Sequence, residues 1–364
     1  RADRRNKGFA HGSPRIGMDL YRSVRAIASA SGTGDGSGGI DWDAVATAAK
    51  SATDAGTLEL SPDDRAGYAA DVRDARERLR SVGGLDFEVP ETIEVQNRHH
   101  WIDANVSAFR RVMRPVESEL QVAFPNATRV INTGSMTFVL SFLGSHVLGQ
   151  YDPLLLADGD ASGPEDAAGD DVSASEASSG SRVEDPQHSL YFVHPNIVAA
   201  ADALEVDYPR FRRWIAFHEV AHAAEFGAAP WLSEHLESRM EDGLETLTKG
   251  EFDREAFHDL DVAMTAVEGY AEMLMDRAFD AEYADLRAKL DERRRGGGPL
   301  ARLARRLLGL GLKRRQYERG ARFFRTVADR RGVAAAAAVW ERPEHLPTSA
   351  ELDDPGQWLA RVDP

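Results

Sequence analysis

Cysteine is absent from the 364 residues. That excludes disulfides, thiolate metal sites and cysteine nucleophiles, and leaves histidine and carboxylate as the strong ligands open to a transition-metal ion. No run reaches the apolar length of a membrane span; residues 332–340 come nearest, an alanine-rich helical stretch too short to cross. The N-terminus lacks the apolar centre of a secretory signal, and a cytoplasmic location is expected; the first residue is Arg rather than Met, as in a trimmed chain. Basic charge is also in deficit: acids outnumber bases 60 to 44, for a net charge of −16, and the bases are almost all arginine. An acidic, lysine-poor surface stays hydrated in concentrated salt, where repulsion is screened, which points to a halophilic archaeon and away from nucleic acid as a partner. What remains is a globular chain, 42% hydrophobic and long enough to bury a large core.

Within it, residues 218–222 read His-Glu-Val-Ala-His. On a helix His218 and His222 lie one turn apart on the same face, so both imidazoles can reach one Zn²⁺ while Glu219 stands beside it as a proton acceptor. Chance supplies such a string in roughly a few hundredths of chains this long, so the context has to support it. It does: Asp207 and Tyr208 precede Pro209, and Phe211, Trp214, Ile215, Phe217, Ala221 and Phe226 follow at the spacing of an amphipathic helix that stops near Gly227 and Pro230. The plain alternative is a pair of ordinary histidines on a partly buried helix.

A catalytic zinc needs three protein ligands and an open position. The next histidine, His235, lies beyond Pro230 and Trp231, so a close third histidine is missing. Residues 254–279 again have helical period, through Phe257, Leu260, Met264, Val267, Ala271, Leu274 and Ala278, and contain Glu268-Gly269-Tyr270-Ala271-Glu272. Glu268 follows His222 by 46 residues. This looks like the glutamate-type zincins, in which a second helix supplies the third ligand and an acid one turn later, here Glu272, orients a ligand histidine. Asp276 extends the same face. The alternative is a pair of solvated glutamates at salt-pairing distance. Zinc in such a site acidifies water and polarises a carbonyl, Glu219 moves the proton, and peptide or amide hydrolysis follows. For the oxyanion donor, Tyr317 is the first candidate, with His235 and Tyr270 behind it; each could equally anchor a helix in the core.

Several short stretches together resemble a zincin-like family of actinobacteria and archaea assigned as zinc-dependent hydrolases, some associated with biosynthesis of the deazaflavin coenzyme. They are Leu148-Gly149-Gln150-Tyr151-Asp152-Pro153, Val193-His194-Pro195-Asn196, Trp214-Ile215-Ala216-Phe217-His218-Glu219, Pro230-Trp231-Leu232, Glu268 to Glu272, and Lys313-Arg314-Arg315-Gln316-Tyr317. The resemblance runs in order from about Asp41 to the C-terminus, interrupted once. It implies zinc on His218, His222 and Glu268 with Glu219 as base; it implies no substrate.

Residues 1–40 form an expected flexible segment, ending in a Gly/Ser linker, and 41–364 the zincin-like domain. Helices are expected over 41–53, 62–82 with Ser61 as cap, 101–123 and 133–147. Residues 152–187 carry ten acids against Arg182 and should be a disordered insertion. Residues 190–193 are the clearest strand, with 147–151 as a partner, and a sheet edge beside the zinc helix would accept an extended peptide. Between Arg293 and Arg331 the local net charge is +12, either a docking surface for anions or arginines paired with acids elsewhere while their stems cover a helix. After Pro343 an extended tail is expected, docked by Trp358. The fold class is therefore mostly α (α+β), a zincin-like helical metallopeptidase fold with a small β-sheet. The leading function is zinc-dependent hydrolysis of peptide or amide bonds. Behind it stand a zinc-stabilised binding or assembly protein without turnover and a helical interaction module using the arginine-rich face.

Overall fold

The structure is a computed structural model that describes residues 40–83, 87, 92–120, 125–151, 189–248, 254–279, 285–289 and 313–364; within these spans no side chain is described for residues 92, 112, 114–120, 125–132, 189, 244–248, 254–257 and 313–317. The expected N-terminal segment, the acidic insertion and the first half of the basic stretch lie outside the described residues.

Helices dominate. Helix α1 (Trp42–Ala52) starts where the Asp41 side chain accepts from Ala44 N, and α2 (Pro62–Gly83) where Ser61 and Asp64 bond each other's backbone reciprocally. Strand β1 (Thr92–Gln96), helices α3 (Arg98–Leu120) and α4 (Pro125–Gly144), and strands β2 (Gly149–Tyr151) and β3 (Ser189–Val193) follow. The strand order is β1-β3-β2, with β1 parallel and β2 antiparallel to β3. The sheet thus has a strand more than the sequence analysis expected. Its signal, the alternation Ile93-Glu94-Val95-Gln96, is short, and its partner lies across the long acidic insertion.

Next come α5 (His194–Leu204), α6 (Tyr208–Ala228), α7 (Trp231–Thr248), α8 (Arg254–Ala278) and α9 (Lys313–Arg331). The part after Pro343 is not the extended tail expected. Helix α10 (Val333–Ala337), two 3₁₀ turns, α11 (Ser349–Asp353) and α12 (Pro355–Val362) fold back onto α9. A capping box at Thr348 and Glu351 and the Asp354 cap, each beside a favourable first-turn residue, nucleate these short helices. Trp358 docks as expected, fully buried, edge-on to Phe323 and donating to the His345 carbonyl at 2.7 Å.

Helix α6 lies at the centre, against α2, α5, α8 and β2. Its buried residues, Phe211, Ile215, Phe217, Val220 and Ala224 among them, fall on all sides, so the one-sided amphipathic helix expected from sequence is in fact a core helix. Its N-terminal half carries a closed polar cluster. Arg212 Nε donates to Asp71 Oδ2 at 2.7 Å, Asp64 lies 3.8 Å away, and the guanidinium sits 5.3 Å over the rings of both Tyr68 and Tyr208. The two phenols lie 3.2 Å from Nδ1 of buried His194, whose pKa burial lowers, favouring the neutral ring. Asn196, two residues on, donates to the carbonyls of Gly144 and Val147 and accepts from Arg98, which fixes the start of β2. The Val-His-Pro-Asn stretch therefore anchors the sheet to α2, α4 and α6.

Candidate metal centre

Two turns further along α6 the chemistry changes. Helix α6 begins at the Asp207 cap, whose carboxylate accepts from Arg210 N, and this sets the phase that turns His218 and His222 toward α8. The Nε2 atoms of the two rings are 3.3 Å apart, and Glu268 Oε2 lies 3.7 Å from His222 Nε2. Ligand atoms of His218, His222 and Glu268 all fall within 4.8 Å of one another, a grouping found nowhere else among the described residues. Both rings are half-buried; Glu268 is buried, and its Oε2 has no hydrogen-bond partner.

A buried carboxylate oxygen left without a donor, beside two imidazole nitrogens aimed at the same point, is costly unless a cation takes up all three. The donor set of two nitrogens and one oxygen suits a borderline divalent ion with an open coordination position, zinc above all. The electrostatics agree. Burial alone would lower the His222 pKa, but the hydrogen bond that His222 donates to Glu225 and the charges of Glu225, Glu268 and Glu219 outweigh it and raise it to about 9. Desolvation pushes Glu225 up to about 7, against the pull of His222. Three carboxylates, Glu225, Glu268 and Glu219, thus act on this one imidazole.

Glu219 points the other way, toward the sheet. It is buried, and a Cβ built on Gly149 would fall 2.7 Å from its Cγ and 2.8 Å from its Oε1, so the edge strand passes directly over the carboxylate. Trp214 stacks on His218 with ring centroids 5.7 Å apart and 6° between planes, holding that ring from one side. Tyr151, two residues along the same strand face as Gly149, packs its ring on Phe226, one turn beyond His222.

The other sequence candidates fall as follows. Glu272 is buried on α8 and ion-paired with Arg287, and Asp276 is held by Arg287 and Arg325. The carboxylate that engages His222 is Glu225, which the sequence analysis passed over although a His-x-x-Glu spacing within one turn was there to be read. Tyr270 is fully buried in a cluster with Phe324 and Trp340, with its hydroxyl reaching only the Gly83 carbonyl at 3.5 Å. It is a core residue and cannot serve the oxyanion. His235 stacks edge-on against Trp231. The Tyr317 side chain lies outside the described residues. Of the arginine-rich segment, Arg319, Arg322, Arg325 and Arg331 are each ion-paired, with Asp353, Asp276 or Asp363. These four fit the paired-arginine alternative; the bases of residues 293–315 lie outside the described side chains.

One further contact fixes the third donor. On the turn of α8 that carries Glu268, a Cβ on Gly269 would lie 2.3 Å from Gly320 C, and one on Gly320 would lie 2.1 Å from Thr265 O. Helices α8 and α9 therefore meet backbone to backbone beside the site.

The family model for zincin-like metallopeptidases matches residues 40–251 and 236–359, and the chain belongs to that family, a class of metal-dependent hydrolases. A crystal structure of a proposed hydrolase with a novel fold from Chloroflexus aurantiacus is similar to it over nearly its whole length: TM-score 0.64 and 27% identity, covering 94% of this chain and 98% of that one. No curated protein matches. No described helix is long and apolar enough to cross a membrane.

Proposed function

We propose that the chain hydrolyses peptide or amide bonds with zinc held by His218, His222 and Glu268 and with Glu219 as general base. The observation that supports this best is the meeting of those three donors on one side of α6 while a second buried carboxylate, Glu219, faces an edge strand. When bound, the ion supplies Lewis acidity at the substrate carbonyl and lowers the pKa of water. Glu219 takes the proton from the attacking water as its oxygen bonds to the carbonyl carbon, then passes that proton to the leaving nitrogen as the C–N bond breaks.

Strand β2 is suited to present the substrate. Val193 N donates to Leu148 O at 2.9 Å, so in the antiparallel register Gly149↔Phe192 and Gln150↔Tyr191 the bonded pairs are 148–193 and 150–191. The N–H and C=O of Gly149 therefore turn outward, where an extended peptide can add as a further strand beside Glu219. Tyr317 of α9 is proposed as donor to the oxyanion and Glu272 as the carboxylate that orients a ligand histidine.

Glu219→Gln is the deciding variant. It should keep zinc, measured by elemental analysis at about one ion per chain, and lose roughly 10²- to 10⁴-fold in cleavage of a peptide library. A wild-type protein that holds zinc and yet leaves every peptide and amide intact would assign the site to stability instead of turnover.

A further inference from the structure

Glu225 is the least accessible acid of the site, with no exposed surface at all. Its Oε2 lies 2.9 Å from His222 Nδ1, and its Oε1 has no hydrogen-bond partner. An exposed pair three residues apart on a helix needs no explanation, but a carboxylate stripped of water is retained only where its contacts matter. Here that contact dictates chemistry. With His222 Nδ1–H donating to Glu225 Oε2, the lone pair of the neutral, metal-binding ring falls on Nε2. That nitrogen is the one 3.3 Å from His218 Nε2 and 3.7 Å from Glu268 Oε2. Turning the ring over would move Nε2 out of the group and break the contact with Glu225 at once.

We propose that Glu225 is a positioning residue that locks the tautomer and plane of His222 and so strengthens its grip on zinc. This rests on the ligand set proposed above and extends it: the site is held by a carboxylate, imidazole and metal in series, with the carboxylate drawn from the same helix as the ring. The imidazole is thus engaged at both ends, at Nδ1 by Glu225 one turn on and at Nε2 beside His218 one turn back along α6.

The test uses the full chain and zinc alone. Zinc affinity is measured by competition with a chromophoric chelator for wild type, Glu225→Gln and Glu225→Ala, with Asp71→Asn as a reference that breaks a buried ion pair elsewhere against the same helix. Glu225→Ala should bind zinc on the order of 100-fold more weakly than wild type. Glu225→Gln, whose amide oxygen can still accept from Nδ1–H, should recover to within about tenfold. Asp71→Asn should bind as wild type does even if it melts earlier. Nitrogen NMR of the zinc-loaded wild type should find the His222 hydrogen on Nδ1, a readout that stands even if the Glu225 variants fail to fold. Equal affinity in all four proteins, or a hydrogen on Nε2 with zinc on Nδ1, overturns the role of Glu225 while leaving the metal site intact. A wild type that takes up no zinc overturns the ligand set itself, and the role with it.

Discussion

The two halves of helix α6 bury polar groups in opposite ways. Near its start, Arg212 is matched by Asp71 and Asp64 and sandwiched by Tyr68 and Tyr208, and His194 takes both phenols; the cluster closes on itself. Near its end, Glu225 and Glu268 crowd two imidazoles, and one carboxylate oxygen of each is left without a partner. A closed cluster is architecture. One with charge left over has room for a visitor, and the sign of the excess says the visitor is a cation.

Four measurements test that contrast. Arg212→Ala leaves Asp71 buried without its partner and should cost about 3–5 kcal/mol in denaturant unfolding, with zinc affinity unchanged. Removing zinc should do the reverse, leaving the Arg212 cluster intact while forfeiting about 2.7 kcal/mol relative to protein in zinc a hundredfold above its Kd, read as a fall in Tm on adding chelator. Gly149→Ala forces a methyl into the Glu219 side chain; a strain of about 1–3 kcal/mol should displace the carboxylate and lower kcat while zinc stays bound.

The smallest effect is on pH. Burial opposes the charged form of His222, yet its acidic neighbours raise its pKa to about 9, so zinc must displace a proton below that value. Apparent zinc affinity should rise up to about tenfold per pH unit from near 7 and level off above 9. In metal-free protein the sign inverts. The stability His222 contributes is complete below its ordinary value of 6.5 and is lost as pH rises through about 9. Glu225, raised by burial to about 7, contributes most below its ordinary 4.5 and loses that as pH rises through 7. Melting scans of the metal-free form should therefore fall between pH 5 and 9, and a flat profile would contradict the pairing.

Local signals carried much of this molecule. Helix α6 was legible from its Asp207 cap and its stop near Pro230, α8 from its apolar period, and the Glu268 spacing named a carboxylate that the fold does bring against His222. The failures share a cause, dependence on distant partners. Strand β1 exists through its pairing with β3, almost a hundred residues on, and α6 is buried all round because four elements converge on it. The C-terminal helices were misread because each is too short to show a period, although their caps were present. Glu225 was passed over because an acid on a helix reads as solvated until its burial is known.

The contact between Gly269 and Gly320 bears on which ions the pocket would tolerate. With the main chains of two helices touching there, the strut that bears Glu268 has no compliance on that side. An ion drawn into the pocket would meet that strut on one side and, on the other, imidazoles backed by Trp214 and Glu225, so the helix crossing would limit how far the donor atoms can spread.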